Sequence, residues 1–100
     1  MQLHDIHIDD ERLAEFCRQN GVRELSFFGS IVRGTFGPQS DVDLYIELQP
    51  GAAPSLLDLA RIQDELTTMF GRQVHLHTPA MLPAKYASYF LRGAVRAYAA

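Results

Sequence analysis

Apolar and polar side chains alternate strictly from Asp41 to Leu48. Val42, Leu44, Ile46 and Leu48 share one face, and Asp41, Asp43, Tyr45 and Glu47 the other. Successive strand side chains point to opposite faces, so this period of two predicts a strand with one side on a core and the other open and acidic. A second alternation, Gln73-Val74-His75-Leu76-His77, predicts another strand with Val74 and Leu76 inward and both imidazoles on the polar face. Val22 to Phe28 reads as a third strand, ending at Gly29-Ser30. Between the strands the period becomes helical. Leu13, Phe16 and Cys17 form a stripe behind Asp9-Asp10-Glu11, whose charges suit a helix start, and Asn20-Gly21 closes it. A longer stripe, Leu56, Leu57, Leu59, Ala60, Ile62, Leu66, Met69 and Phe70, follows Pro54 in a first turn and stops at Gly71. Residues 30 to 35 predict a short helix, broken by Gly34, Gly37 and Pro38, and a last helix is predicted from Pro83 to about Tyr98.

The order helix, strand, short helix, strand, helix, strand, helix predicts an α/β (α+β) architecture. It implies a small mixed sheet with helices packed on one face and an open polar face opposite. With 100 residues, the expectation is one domain spanning residues 1–100. A composition 47% hydrophobic and 21% charged is that of an ordinary soluble globular chain. A net charge of −3 argues against a broad nucleic-acid-binding face and favours a nucleotide or a protein as ligand. No apolar run approaches the ~20 residues a membrane span needs, and Met1 to Asp5 does not read as a signal peptide. Cys17, the single cysteine, excludes an internal disulfide and sits on the apolar stripe as a core residue rather than a reactive thiol. The expected location is cytoplasmic.

The chemistry concentrates at two places. Asp41 and Asp43 project side by side from one strand, and like charges that close repel unless a cation lies between them. A Gly29-Ser30 turn opening a helix offers backbone N–H groups and a hydroxyl, which suit a phosphate. Together they make a site for a metal–nucleotide complex.

Gly29-Ser30, ten intervening residues and then Asp41-Val42-Asp43 resemble the signature of the minimal nucleotidyltransferases of the DNA polymerase β-like superfamily. Many of these are MNT-type antitoxin partners of HEPN toxins. Gly71-Arg72-Gln73-Val74 is similar to the segment leading into the family's third core strand, so the resemblance spans essentially the whole chain. It implies a polymerase β-like nucleotidyltransferase core in which Gly29 and Ser30 hold the triphosphate and Arg33 contacts a phosphate. Asp41 and Asp43 would be the catalytic residues, binding Mg²⁺. The implied reaction moves a nucleoside monophosphate, AMP from Mg-ATP, onto a hydroxyl, for members this small a tyrosine of a cognate HEPN toxin, which is thereby silenced.

Two positions depart from the family pattern. Ile31 stands where many relatives carry Arg, and His75 where they carry a third carboxylate. Imidazole suits transition metals better than Mg²⁺, so His75 is a candidate third ligand with Mn²⁺ as an alternative ion, or the mark of a weakened site. The competing reading is a catalytically degenerate antitoxin that neutralises its toxin by binding alone. A small-molecule nucleotidyltransferase would need a further helical domain for its acceptor. Glu47, two pleats from Asp43, reads as solvated, and a His75–His77 metal site lacks an evident further ligand. Homo- and hetero-oligomers both stay open. The open sheet face and the last helix, with Tyr86, Tyr89 and Tyr98, are the candidate contact surfaces.

Overall fold

A computed structural model of the chain describes all residues, Met1–Ala100. It begins with a minimal antiparallel hairpin, β1 (Gln2–Leu3) and β2 (Ile6–His7), followed by helix α1 (Asp10–Gln19) and strand β3 (Val22–Phe28). The single-turn helix α2 (Ser30–Arg33), strand β4 (Val42–Leu48), helix α3 (Leu56–Phe70) and strand β5 (Val74–His77) come next. A 3₁₀ turn (Ala84–Tyr86), the single-turn helix α4 (Ala87–Phe90) and strand β6 (Val95–Ala99) complete the chain. The main sheet has the order β5-β4-β3-β6, with β4 and β5 parallel and the other neighbours antiparallel. This is the expected mixed sheet.

The two long helices form because their ends are capped and their inner faces are apolar. Asp9 accepts a hydrogen bond from the Arg12 N–H at the start of α1. Ser55 and Asp58 form a reciprocal capping box at the start of α3. Leu13, Phe16 and Cys17 of α1 and Ile62, Leu66 and Phe70 of α3 pack on one side of the sheet. There they meet Leu25 and Phe27 of β3, Val42, Leu44 and Ile46 of β4, and Val74 and Leu76 of β5 in one buried cluster. The helices thus cover one face and the alternation of β4 leaves Asp43 and Tyr45 on the other, as its period of two requires.

Three expectations need correction. The C-terminal segment is not a helix to Tyr98: α4 ends at Phe90 and residues 95–99 form an edge strand against β3, with Leu25 opposite Tyr98 and Phe27 opposite Val95. The alanines of this segment favour helix locally, but β3 would otherwise present an unpaired edge, and ladder hydrogen bonds outweigh propensity. Tyr98 therefore packs against the core rather than lying on a helix with Tyr86 and Tyr89. Leu56 and Leu57 do not join the α3 stripe: both lie on its outer side, 80% and 82% exposed. Pro54 precedes the Ser55 cap, so the helix starts at Leu56 and the buried stripe begins a turn later. Glu47 is not simply solvated. It accepts hydrogen bonds from Arg23 across the sheet and from the Tyr45 hydroxyl, and these hold its carboxyl below the usual range.

Candidate functional site

The site is built where β3 ends. Phe28 lies opposite Asp43 in the β3–β4 register, so the chain leaving β3 passes directly over that carboxylate. Gly29 turns it with φ 80° and ψ −146°, a region essentially restricted to glycine. The turn is also sterically glycine-only: a Cβ at Gly29 would lie 2.5 Å from Asp43 Oδ2 and 3.3 Å from its Cγ. Gly29 thus makes room for the Asp43 carboxylate against the backbone that opens α2. Ser30 follows half-buried at the first position of α2, and Ile31 is buried beneath it in the core. Arg33 is exposed at the end of α2 and makes no ion pair.

Asp41 and Asp43 share the open face with both imidazoles of β5. In the parallel register Asp43 is opposite His75. Side chains lean along the strands, however, and the His75 ring reaches Asp41, with Nε2 2.8 Å from Oδ2. The His77 ring lies by Asp43, with Nε2 at a longer 3.4 Å from Oδ1, and packs edge-on against Phe28 at 5.0 Å between ring centres. His75 thus points to the open face, as its place in the alternation requires. His77 proves to be the imidazole paired with Asp43. Its position two residues after His75 on the same strand face was the signal for that.

Two contacts that sequence reasoning missed hold the backbone of the site. Arg72, just before β5, donates to the carbonyls of Gly37 and Ser40 at 2.6 and 2.7 Å and pairs with Asp5. Its guanidinium lies over the Phe36 ring at 4.4 Å. It therefore ties down the loop that delivers Asp41. At the turn of the N-terminal hairpin, His4 places Nε2 2.8 Å from the Ile31 carbonyl of α2 and its ring against Phe36. Arg72 lies in the Gly71–Val74 segment singled out above, but local patterning gives neither it nor His4 a partner, because the partners are about 30 residues away in sequence.

The donor set fits a hard cation that is completed by its substrate. No three His, Cys, Asp or Glu side chains form a ready-made metal cage. Mg²⁺ is characteristically held by one or two carboxylates together with substrate phosphates, which two same-face aspartates beside a glycine turn can supply. Nε2 of each imidazole donates to one of these carboxylates, which leaves Nδ1 as the ring nitrogen either could offer a cation such as Mn²⁺. A cavity of about 410 Å³ opens at Asp43, its lining shared between Gly29, Arg33, Asp43 and His77 and the apolar Phe28, Met81, Leu82, Pro83 and Phe90; Asp41 is not part of that lining. A wider groove of about 1110 Å³ lies between α1 and α3, on the opposite face of the sheet. Its walls mix Arg12, Arg61, Glu15 and Glu65 and share nothing with the carboxylate site. No helix is long and apolar enough to cross a membrane.

The chain is 36% identical over 81 residues to the protein adenylyltransferase MntA of Thermococcus cleftensis, covering 81% of this chain and 80% of that protein. Its fold is shared with a chain in the crystal structure of a toxin–antitoxin with AMP-PNP, at a TM-score of 0.73 and 14% identity, covering 93% of this chain and 75% of that one. It is shared too with a chain in the structure of a tri-AMPylated Shewanella oneidensis HEPN toxin in complex with MNT antitoxin, at a TM-score of 0.63 and 11% identity, covering 91% and 70%. The model of the nucleotidyltransferase domain family matches residues 10–96, from the first residue of α1 into β6. With 87 of its 100 residues accounted for in this way, the chain belongs to the nucleotidyltransferase domain family.

Proposed function

We propose that this chain is an antitoxin that transfers AMP from ATP, bound with a divalent cation, to a hydroxyl of a HEPN-type toxin, the acceptor being a tyrosine. The observation that carries the reading is the Asp43 carboxylate seated against Gly29, with the Arg33 cation, which makes no ion pair, lining the same cavity as Asp43 and with Asp41 held on the open face by His75. In this reading Gly29 and Ser30 receive the triphosphate and Arg33 offsets part of its charge. Asp41 and Asp43 hold the Mg²⁺ or Mn²⁺, which when bound neutralises charge developing on the phosphates. His75, standing where relatives are expected to carry a third carboxylate, donates from Nε2 to Asp41 and so orients that carboxylate. The relative named as a protein adenylyltransferase, and the folds shared with toxin–antitoxin structures, one holding AMP-PNP and one an AMPylated toxin, support the substrate and acceptor.

Calorimetric titration of ATP with and without Mg²⁺ tests the site. Binding should require the cation, and Asp43→Asn should weaken it without unfolding the protein, because Asp43 lies outside the core. Equal affinity with and without the cation would sink the reading. The pairing of Asp41 with His75, in place of a third carboxylate, favours one alternative: an antitoxin that neutralises by contact alone. Restoration by His75→Asp separates the two. It should raise both Mg²⁺ affinity and AMP transfer, whereas a binder neutralises its toxin equally well with either residue and transfers nothing.

A further inference from the structure

The cavity at Asp43 is lined by two chemically different sets of residues. Gly29, Arg33 and Asp43 supply the polar part of its lining, and Met81, Leu82 and Phe90 an apolar wall of the same cavity. Its volume of about 410 Å³ lies in the range of small-ligand pockets. The apolar wall is held in place. After β5, the N–H groups of Met81 and Leu82 both donate to the Thr78 carbonyl, which buries Leu82 and leaves Met81 outside. Phe90, at the end of α4, meets Tyr89 edge-on at 5.8 Å between ring centres. Met81 and Phe90 remain 48% and 41% exposed, although each lines a concave surface next to a charged site.

We infer that this wall receives the nucleobase, with the flat ring stacked on Phe90 and Met81 alongside. The inference rests on the nucleotide reading above. Once the phosphates are held at Gly29 and Arg33 and the cation at Asp43, what remains of the nucleotide is a sugar and an apolar-faced ring. The same cavity offers an aromatic ring and a thioether, both favourable partners for a π-face. Base–aromatic stacking needs no hydrogen-bond readout, and neither Phe90 nor Met81 provides any.

Titrations of ATP and of inorganic triphosphate, each with Mg²⁺, against wild type, Phe90→Ala and Phe90→Tyr test the assignment. Wild type should bind ATP more tightly than triphosphate. Phe90→Ala should weaken ATP about tenfold and leave triphosphate unchanged, and Phe90→Tyr should restore ATP binding. The inference is overturned if Phe90→Ala leaves ATP affinity intact, or weakens both ligands alike. Loss of toxin binding with ATP affinity intact overturns it as well and makes Phe90 a partner contact. If wild type binds neither ligand, the nucleotide reading falls and this inference with it.

Discussion

Replacing Gly29 by alanine perturbs the backbone and the carboxylate together. At φ 80° and ψ −146° a residue with a Cβ occupies a region that costs about 1–3 kcal/mol. The added Cβ would also stand 2.5 Å from Asp43 Oδ2. Asp43 sits on a central strand whose register is fixed on both sides, so the backbone cannot yield and the side chain must rotate away. Forcing a side chain off its rotamer adds about 0.5–1.5 kcal/mol. The sum is a loss of about 2–4 kcal/mol in unfolding free energy, accompanied by weaker cation-dependent ATP binding. Gly34→Ala is the internal control. Its φ of 82° carries the left-handed strain, about 1–2 kcal/mol, but no atom lies within 4 Å of the added methyl. Denaturant unfolding of both variants, alongside ATP titration, reads the difference. If the two lose equal stability and Gly29→Ala binds Mg-ATP like wild type, the coupling of Gly29 to Asp43 is refuted.

Other consequences follow from the packing. Leu44→Ala removes a fully buried side chain from the centre of the core and should cost about 2–5 kcal/mol in denaturant unfolding, against little for Leu57→Ala on the exposed side of α3. Arg72→Ala should release the Gly37 and Ser40 carbonyls, read as faster amide hydrogen exchange across residues 37–41 and lower affinity for Mg-ATP, while α3 keeps its protection. Burial pushes the Cys17 thiol up to about 12. A pKa raised by folding contributes stability below the ordinary thiol range of ~8.5 and loses it as pH climbs toward 12. Wild-type stability should therefore fall over that interval more steeply than that of Cys17→Ala, and native Cys17 should resist alkylation at pH 8.

The parts of the fold legible in the sequence are those that local periodicity determines. The strict alternation of β4 places Val42, Leu44 and Ile46 inward and Asp43 outward, and the structure follows it residue by residue. The α1 stripe and its closure at Asn20-Gly21 are equally local. The edge strand β6 was not legible, because its strand character comes from pairing with β3, about 70 residues earlier in the chain, and not from its own alanine-rich composition. Leu56 and Leu57 were misplaced for a different reason. Leucines in a first turn count toward a stripe in sequence, but the Ser55 cap sets the helix phase and turns them outward. At the site, the spacing of Gly29-Ser30 and Asp41-Val42-Asp43 located the candidate residues. The contacts that hold them, Arg72 to the 37–40 loop and His4 to Ile31, depend on the folded topology and leave no local signature.

In the proposed function Asp41 and Asp43 serve a nucleotidyl transfer to a protein. Incorporation of labelled AMP from ATP into a HEPN-type toxin, the acceptor proposed above, with Mg²⁺ or Mn²⁺, measures this directly, with wild type compared with the Asp41→Asn, Asp43→Asn double variant. Wild type should label the toxin on tyrosine and the folded double variant should not. No label from wild type with either cation, or equal label from the double variant, would contradict it.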